Sequence, residues 1–141
     1  MTRPRCCDFF GNLHEFIKGY YRVLGAPENY SDCFKVCMDT GHVHKATRFG
    51  NPSVGDAIRL LGNNIVCLHL HDNDKWKDSH QIPFSMNIDF TAVTRALKEI
   101  GYSGWVTLEA YNYLKDFTPE TAFQGIRDLS AAARRLADML K

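Results

Sequence analysis

Segments with the apolar pattern of strands alternate with amphipathic segments of helical period along this chain of 141 residues. Strands are predicted over residues 34–39, 65–71 and 105–110, each of which is a short apolar run. Strands that alternate with helices usually pair in parallel, so this order predicts an α/β fold built from βαβ units. No linker interrupts the pattern, and residues 1–141 are therefore expected to form a single domain.

Helix start signals mark the segments between the strands. A first helix is predicted over residues 12–25. Ser53 and Asp89 are predicted N-caps of the next two helices, and each helix is expected to end at a glycine. A last helix is predicted to open at Thr118-Pro119, because proline is favoured in the first turn. The predicted apolar stripe of that helix consists of Phe123, Ile126, Leu129, Ala133, Leu136 and Leu140.

The three predicted strands carry polar side chains on one face, near the end where each strand finishes. These side chains are Asp39 on the first strand, His69 and His71 on the second, and Glu109 on the third. The opposite faces are aliphatic and comprise Val36, Met38, Val66, Leu68, Leu70, Val106, Leu108 and Ala110. Buried parallel strands are usually apolar on both faces, and the C-terminal strand ends carry the chemistry of barrel enzymes. The polar positions therefore predict a functional site at these strand ends.

Each of these polar residues has a simpler explanation when it is taken alone. Asp39 is followed by Thr-Gly and would suit a turn, His69 would suit a hydrogen-bonded core position, and Glu109 would suit an ion pair. Matched positions on three strands favour a site instead. Two carboxylates and an imidazole suit a divalent cation such as Mn²⁺, Mg²⁺, Co²⁺ or Zn²⁺.

Composition and charge argue against several classes of protein. The formal net charge is +1 and the basic residues are scattered, whereas a nucleic-acid partner usually requires a basic surface. No apolar run is long enough to span a bilayer, and no signal peptide is recognisable, so a cytoplasmic location is expected. The five cysteines follow no repeating spacing, which favours reduced thiols.

Several short motifs occur in a fixed order along the chain. They are Asp39-Thr-Gly-His42, His69-Leu-His-Asp72, Asp78-Ser-His80, Ile88-Asp-Phe90, Gly101-Tyr-Ser-Gly104 and Leu108-Glu109. This series resembles the xylose-isomerase-like TIM-barrel superfamily, which contains sugar and sugar-phosphate isomerases and epimerases and has zinc endonucleases of the endonuclease IV type as relatives. The resemblance implies a partial (β/α)8 barrel, corresponding to the C-terminal half of the family fold.

The resemblance also implies roles for individual residues. Asp39, His69 and Glu109 match metal ligands of the family, and Glu109 also matches a carboxylate that moves protons. The implied reaction is isomerisation or epimerisation of a sugar or sugar phosphate. Proton removal next to a carbonyl would then give an enediolate that the divalent metal stabilises.

Three further residues match positions that surround the substrate in the family, and His71 is a fourth candidate for the same pocket. His42 matches a substrate-contacting residue in the epimerases and a metal ligand in the endonucleases. Asp78 and His80 match a loop pair that lies beside the substrate in many isomerases and binds zinc in the endonucleases. His71 is expected either to line the pocket or to support a ligand. An endonuclease IV-like phosphodiesterase and a non-catalytic half-barrel subunit therefore remain as alternatives.

Two features depart from the family pattern. Relatives carry a second carboxylate, the fourth ligand, on an earlier strand within a Glu-Asn segment, whereas Glu28-Asn29 follows a proline in a predicted loop. Met86 stands where relatives usually carry glycine. A closed barrel typically needs about 250 residues, and an open one exposes strand edges. We therefore expect a homo-oligomer in which half-barrels complete each other, a large rearrangement of the N-terminal segment, or activity lost through truncation.

Overall fold

A computed structural model describes residues 35–141 and, before them, Lys18, Gly19 and Arg22, which are helical. The rest of the helix predicted over residues 12–25 lies outside the described residues, as do Glu28-Asn29 and the first position of the strand predicted over residues 34–39. Within the described part, strands and helices alternate as expected.

Three parallel strands form one sheet in the order β1-β2-β3, with β1 at Val36–Asp39, β2 at Ile65–Leu70 and β3 at Trp105–Leu108. The helices are α1 (Thr40–Ala46), α2 (Val54–Leu61), α3 (Phe90–Glu99) and α4 (Ala122–Leu140). Short 3-10 turns occupy Thr47–Phe49, Gly62–Asn64 and Tyr113–Asp116. The α/β class and the arc of a parallel barrel predicted from the sequence are confirmed.

The predicted caps of α2 and α3 are also confirmed. The Ser53 hydroxyl accepts the amide of Asp56, and the Asp89 carboxylate accepts the amides of Thr91 and Ala92. Both side chains satisfy backbone donors that the first helical turn leaves free. The two helices therefore begin where the sequence indicated.

One face of the sheet is covered by helices and contains the core. Met38 of β1 and Leu68 and Leu70 of β2 pack with Ile58 of α2 and Phe90 of α3 in a single buried cluster. Burial of such side chains contributes roughly 1.5–3 kcal/mol each. The other face carries Cys37, His69 and Trp105, and Trp105 is 84% exposed. The polar strand ends therefore lie on the side of the sheet that the described helices leave uncovered.

The predicted position of Val66 on the aliphatic face is wrong. Val36 pairs with Ile65 and Cys37 with Cys67, so the register shifts at Val66. A β-bulge of this kind places an extra residue on one strand. As a result Ile65 is buried, and the Val66 side chain is 48% exposed.

The start of the last helix also differs from the prediction. The Thr121 hydroxyl accepts the amide of Thr118 and donates to its carbonyl, which closes a separate turn before α4. Pro119 lies in this turn, and α4 begins at Ala122. The predicted stripe is correct at Leu136, which is buried, but Phe123 and Ile126 are 75% and 54% exposed.

None of the helices described by the structure has the length and the apolar character needed to cross a membrane.

Candidate functional site

Asp39 lies at the point where β1 passes directly into α1. Its carboxylate is the N-cap of α1, and Oδ1 accepts the backbone amide of His42 at 2.8 Å. The turn that Asp39-Thr-Gly would suit by itself does not form, and the chain continues as a helix. This helix turns His42 back toward the strand ends.

His69 and Glu109 approach Asp39 from the next two strands. Asp39 and His69 are register partners on β1 and β2, and Glu109 follows β3 with its amide bonded to the Leu70 carbonyl. His69 Nδ1 lies 3.0 Å from Glu109 Oε2. One ligand atom from each of the three residues falls within 4.8 Å of the others. The structure thus brings together the three residues predicted as metal ligands.

A second group consists of His42, His71, Asp78 and His80, whose ligand atoms also lie within 4.8 Å of one another. The His71 and His80 rings stack with centroids 3.8 Å apart, and the His42 ring meets both edge-on. His42 Nε2 lies 3.2 Å from Asp78 Oδ2. All four predicted substrate-contacting residues are therefore neighbours, beside the first group.

His71 connects the two groups. Its ring is fully buried, and Nε2 lies 3.1 Å from Asp39 Oδ1, although the two atoms are not aligned as a hydrogen bond. Thr40 ties this part of β2 to α1, since its hydroxyl donates to the His71 carbonyl and accepts the His71 amide. Gly41 leaves the space that the imidazole fills. The Asp39-Thr-Gly-His42 motif thus positions three side chains of the site, those of Asp39, His42 and His71.

The loop that carries Asp78 and His80 is held by the buried carboxylate of Asp72. This carboxylate accepts the amides of Asn73, Met86 and Ile88. Asp72 also forms an antiparallel bridge with Gln81, directly after His80. His80 has a φ of 43°, which is unusual for a residue other than glycine and marks a conformation fixed by its surroundings.

The charges of Asp39 and His71 stabilise each other. Burial by itself would raise the pKa of Asp39, but the His71 imidazole and the His42 amide lower it to about 2. Burial acts to lower the pKa of His71, but the Asp39 and Asp78 carboxylates raise it above its usual value. The pair therefore favours an ionised carboxylate beside a protonated imidazole.

Several buried polar atoms of the site lack hydrogen-bond partners. Within the described part of the chain they include Asp39 Oδ2, Asp78 Oδ1 and His71 Nδ1. Leaving such atoms unpaired is costly, so a cluster of them suits a site for a bound group. Carboxylate oxygens and imidazole nitrogens are common ligand atoms for divalent cations, so the residues present fit a metal ion.

The hydrogen bond of His80 leaves one ring nitrogen able to act as a ligand. His80 Nδ1 lies 2.9 Å from the carbonyl oxygen of Glu109. A carbonyl only accepts, so Nδ1 carries the proton of the neutral ring and Nε2 then has a free lone pair. Nε2 lies 3.5 Å from Asp78 Oδ1, on the side of the cluster.

Three residues of the site were not identified from the sequence. The Lys45 ammonium lies 4.0 Å from Asp78 Oδ2, and the Tyr111 ring lies 4.6 Å from the His80 ring. The buried Asn73 amide donates to the Gly41 carbonyl. Lys45 follows His42 at helical spacing, which would have indicated it if α1 had been predicted. Asn73 follows directly after one recognised motif and Tyr111 lies two residues beyond another, but single polar residues in loops give no comparable signal.

Residues 9–140 match the family model described as "Xylose isomerase-like TIM barrel". The chain is 36% identical over 108 residues to the uncharacterized protein MJ1311 of Methanocaldococcus jannaschii. It is 30% identical over 91 residues to the uncharacterized protein y4fM of Sinorhizobium fredii. These alignments cover 70% and 64% of this chain but only 36% and 27% of the two relatives. The chain thus spans about a third of the length of the curated relatives it matches, and no solved structure gives a significant match.

Proposed function

Because this chain belongs to the xylose isomerase-like TIM barrel family, we propose that it acts as a divalent-metal-dependent isomerase or epimerase of a sugar or sugar phosphate. The observation that supports this most directly is the convergence of Asp39, His69 and Glu109 at the ends of three neighbouring parallel strands. Two carboxylates and one imidazole within 4.8 Å can hold a cation and move a proton at the same place.

Asp39 and His69 are proposed to serve as ligands only. Asp39 is fixed by the His42 amide, and its second oxygen is buried without a partner. His69 Nδ1 faces the Glu109 carboxylate, which fixes the orientation of the ring. When bound, the cation would polarise the substrate carbonyl and stabilise the negative charge that develops on its oxygen.

Glu109 is proposed to be the proton acceptor as well as a ligand. Its side chain is 36% exposed, so a substrate on the open face of the sheet can reach it. Of its polar groups, Oε2 pairs with His69 and the backbone carbonyl holds His80. Glu109 therefore couples the two groups of the site, and its carboxylate can remove a proton from the carbon next to the substrate carbonyl.

The second group is proposed to bind the hydroxyl or phosphate oxygens of the substrate. His42 and His80 present ring nitrogens beside the Asp78 carboxylate, and Lys45 adds a positive charge at its edge. The His42 imidazole and the Lys45 ammonium can donate to hydroxyl and phosphate oxygens, and the Asp78 carboxylate and His80 Nε2 can accept from hydroxyls. The hydroxyl groups of a sugar could accept from the hydrogen-bond donors of this group and donate to its acceptors.

Proton exchange tests this proposal without knowledge of the substrate. The chain is incubated with Mn²⁺ and a panel of ketoses and ketose phosphates in D₂O, and NMR follows deuterium entering the carbon next to the carbonyl. We expect exchange with at least one compound, and a loss of about a hundredfold or more in Glu109→Gln.

Glu99→Gln is the matched control for this experiment. Glu99 is an exposed carboxylate on α3 that pairs with Arg59, away from the strand ends. This variant should exchange at the wild-type rate. Exchange that is equally fast in Glu109→Gln would remove Glu109 from the reaction, and no exchange with any compound would refute the isomerase proposal.

A metal-dependent phosphodiesterase of the endonuclease IV type is the second candidate. The observation that favours it is the second possible set of ligands, His42, His71, Asp78 and His80, beside the first, in which His71 would release its proton to bind. Two adjacent cations are a common arrangement for cleaving phosphate esters. Cleavage of DNA that contains an abasic site, lost in His80→Gln together with one of two bound cations, would support this candidate over the isomerase. The net charge of +1 does not favour a DNA partner.

A further inference from the structure

Two cysteines lie on the open face of the sheet, which is the face that the described helices leave uncovered. Each lies two residues before a proposed metal ligand on the same strand. Cys37 and Cys67 are register partners on the parallel strands β1 and β2, and both are free thiols. Each precedes a proposed ligand by two residues, Asp39 and His69, and so points to the same face. One ligand atom each from Cys37, Cys67 and His69 falls within 4.8 Å of the others.

We propose that Cys37, Cys67 and His69 form a second binding site, which shares His69 with the first, for a thiophilic cation such as Zn²⁺ or Cd²⁺. Two sulfurs and one imidazole nitrogen are a ligand set of the kind that zinc uses, with the fourth position left to water. This proposal goes beyond the proposed function, because it requires neither a substrate nor a reaction.

The cysteine set and the carboxylate set differ in chemical hardness. Thiolates select Zn²⁺, Cd²⁺ or Cu⁺, whereas carboxylate oxygens suit Mn²⁺ and Mg²⁺. The two sets share His69, with Cys37 and Cys67 on one side and Asp39 and Glu109 on the other. The same imidazole would therefore serve cations of different kinds according to which is supplied.

Access and reach are both compatible with a bound cation. The Cys37 side chain is exposed and Cys67 is partly buried, so an ion can reach the sulfurs from the open face. Zinc–sulfur bonds are about 2.3 Å long, so two sulfurs within 4.8 Å need only a small movement to bind one ion. Binding releases the thiol protons to solvent, and no oxidant or reductant takes part.

Cadmium titration of the full chain tests the proposal, because cadmium–thiolate bonds give an ultraviolet charge-transfer band. The protein is first reduced and freed of metal, and Cd²⁺ is then added up to one equivalent. We expect the band to saturate near one equivalent. In Cys37→Ser and in Cys67→Ser the band should fall to about half or less, and in His69→Gln the affinity should fall by about tenfold or more.

Two sets of control variants locate the site. Cys6→Ser, Cys7→Ser and Cys33→Ser combined remove the three other thiols of the chain and should leave the band unchanged. Asp39→Asn and Glu109→Gln remove the carboxylate ligands next to His69, and these two variants should also retain the cadmium–thiolate band. Far-ultraviolet circular dichroism of every variant verifies that the fold is retained.

Three results would overturn the proposal. The first is a wild-type chain without the band, and the second is a band that survives in Cys37→Ser with Cys67→Ser combined. The third is a band that disappears with the three other cysteines. None of these three results bears on the Mn²⁺-dependent proton exchange. Failure of the cysteine site is therefore distinct from failure of the isomerase proposal.

Discussion

A side chain at position 41 would overlap three atoms of the His71 ring, because the ring occupies the space where a Cβ atom would lie. Glycine is therefore required here by packing, since the buried His71 ring cannot move without leaving Asp39. This single residue explains how an ion pair and a helix N-terminus fit at the same strand end.

We predict that Gly41→Ala lowers the free energy of unfolding by about 1–3 kcal/mol, as overpacking of a buried site does. Urea unfolding measures the change. The matched control is the same substitution in a His71→Ala background, where the clash is absent and the added cost should be small. Equal costs in the two backgrounds would show that His71 does not require the glycine.

The ionised Asp39 makes a second prediction at the residue scale. Its pKa of about 2 lies below the ordinary value of 3.8, so its stabilisation is present above pH 3.8 and is lost as the pH falls toward 2. The loss should amount to about 2 kcal/mol. In the metal-free protein, Asp39→Asn should reduce this fall in the free energy of unfolding at low pH, while keeping an oxygen that can cap α1. An equal fall in the variant and the wild type would contradict the lowered pKa.

His71 contributes with the opposite sign. Its pKa is raised above the ordinary value of 6.5, so its stabilisation is present below pH 6.5 and is lost as the pH rises through the raised pKa. Stability of the metal-free protein should therefore be greatest between the two limits. His71→Gln should remove the decline on the alkaline side.

At the scale of elements, the sequence predicted the three strands and the caps of α2 and α3, because hydrophobic period and capping residues are local signals. It did not predict α1, since Thr40-Gly41 is a poor helix start by propensity alone. The packing of Gly41 on His71 and the bonds of Thr40 to β2 override that preference. Contacts between distant segments cannot be seen in a local pattern.

The same limit applies to the site. Asp39, His69 and Glu109 were predicted together because strand ends meet at one edge of a parallel sheet. The position of the second group depends on the loop after β2, and Asp72 fixes that loop through amides as distant as Ile88. The family resemblance indicated that Asp78 and His80 of this loop belong to the site. Only the structure shows that the His80 ring stacks on His71.

We predict that Asp72→Ala destabilises the protein by about 3 kcal/mol or more, because three backbone amides lose their acceptor. Hydrogen exchange of the loop should rise at the same time. Asp74→Ala is the matched control: Asp74 lies two residues away and accepts amides of Trp76 and Lys77 in an exposed turn. If both variants lost the same stability, Asp72 would not be the anchor of the loop.

At the scale of the whole molecule, the described sheet is covered by helices on one side and open on the other. Trp105 stands on the open side and is 84% exposed. Exposed aromatic surface beside strand edges that pair with no other described residue favours association with another chain. The expectation of a homo-oligomer therefore stands as a proposal for this face.

Light scattering across a range of concentrations tests that proposal. We expect a concentration-dependent oligomer that Trp105→Glu shifts toward the monomer. Trp76→Glu is the control, because Trp76 is 69% exposed but lies in the loop after β2 and not on the sheet. A wild-type chain that stays monomeric at every concentration would argue against pairing through the open face.

The most direct test of the proposed metal centre is Mn²⁺ binding to the full chain, measured by mass spectrometry after removal of free metal. Asp39→Asn and Glu109→Gln are compared with the wild type and with Glu99→Gln, the carboxylate on α3 that pairs with Arg59. We predict that the wild type and Glu99→Gln retain Mn²⁺ and that both site variants lose it while staying folded. Equal Mn²⁺ content in all four proteins would contradict the assignment of Asp39, His69 and Glu109 as the metal centre.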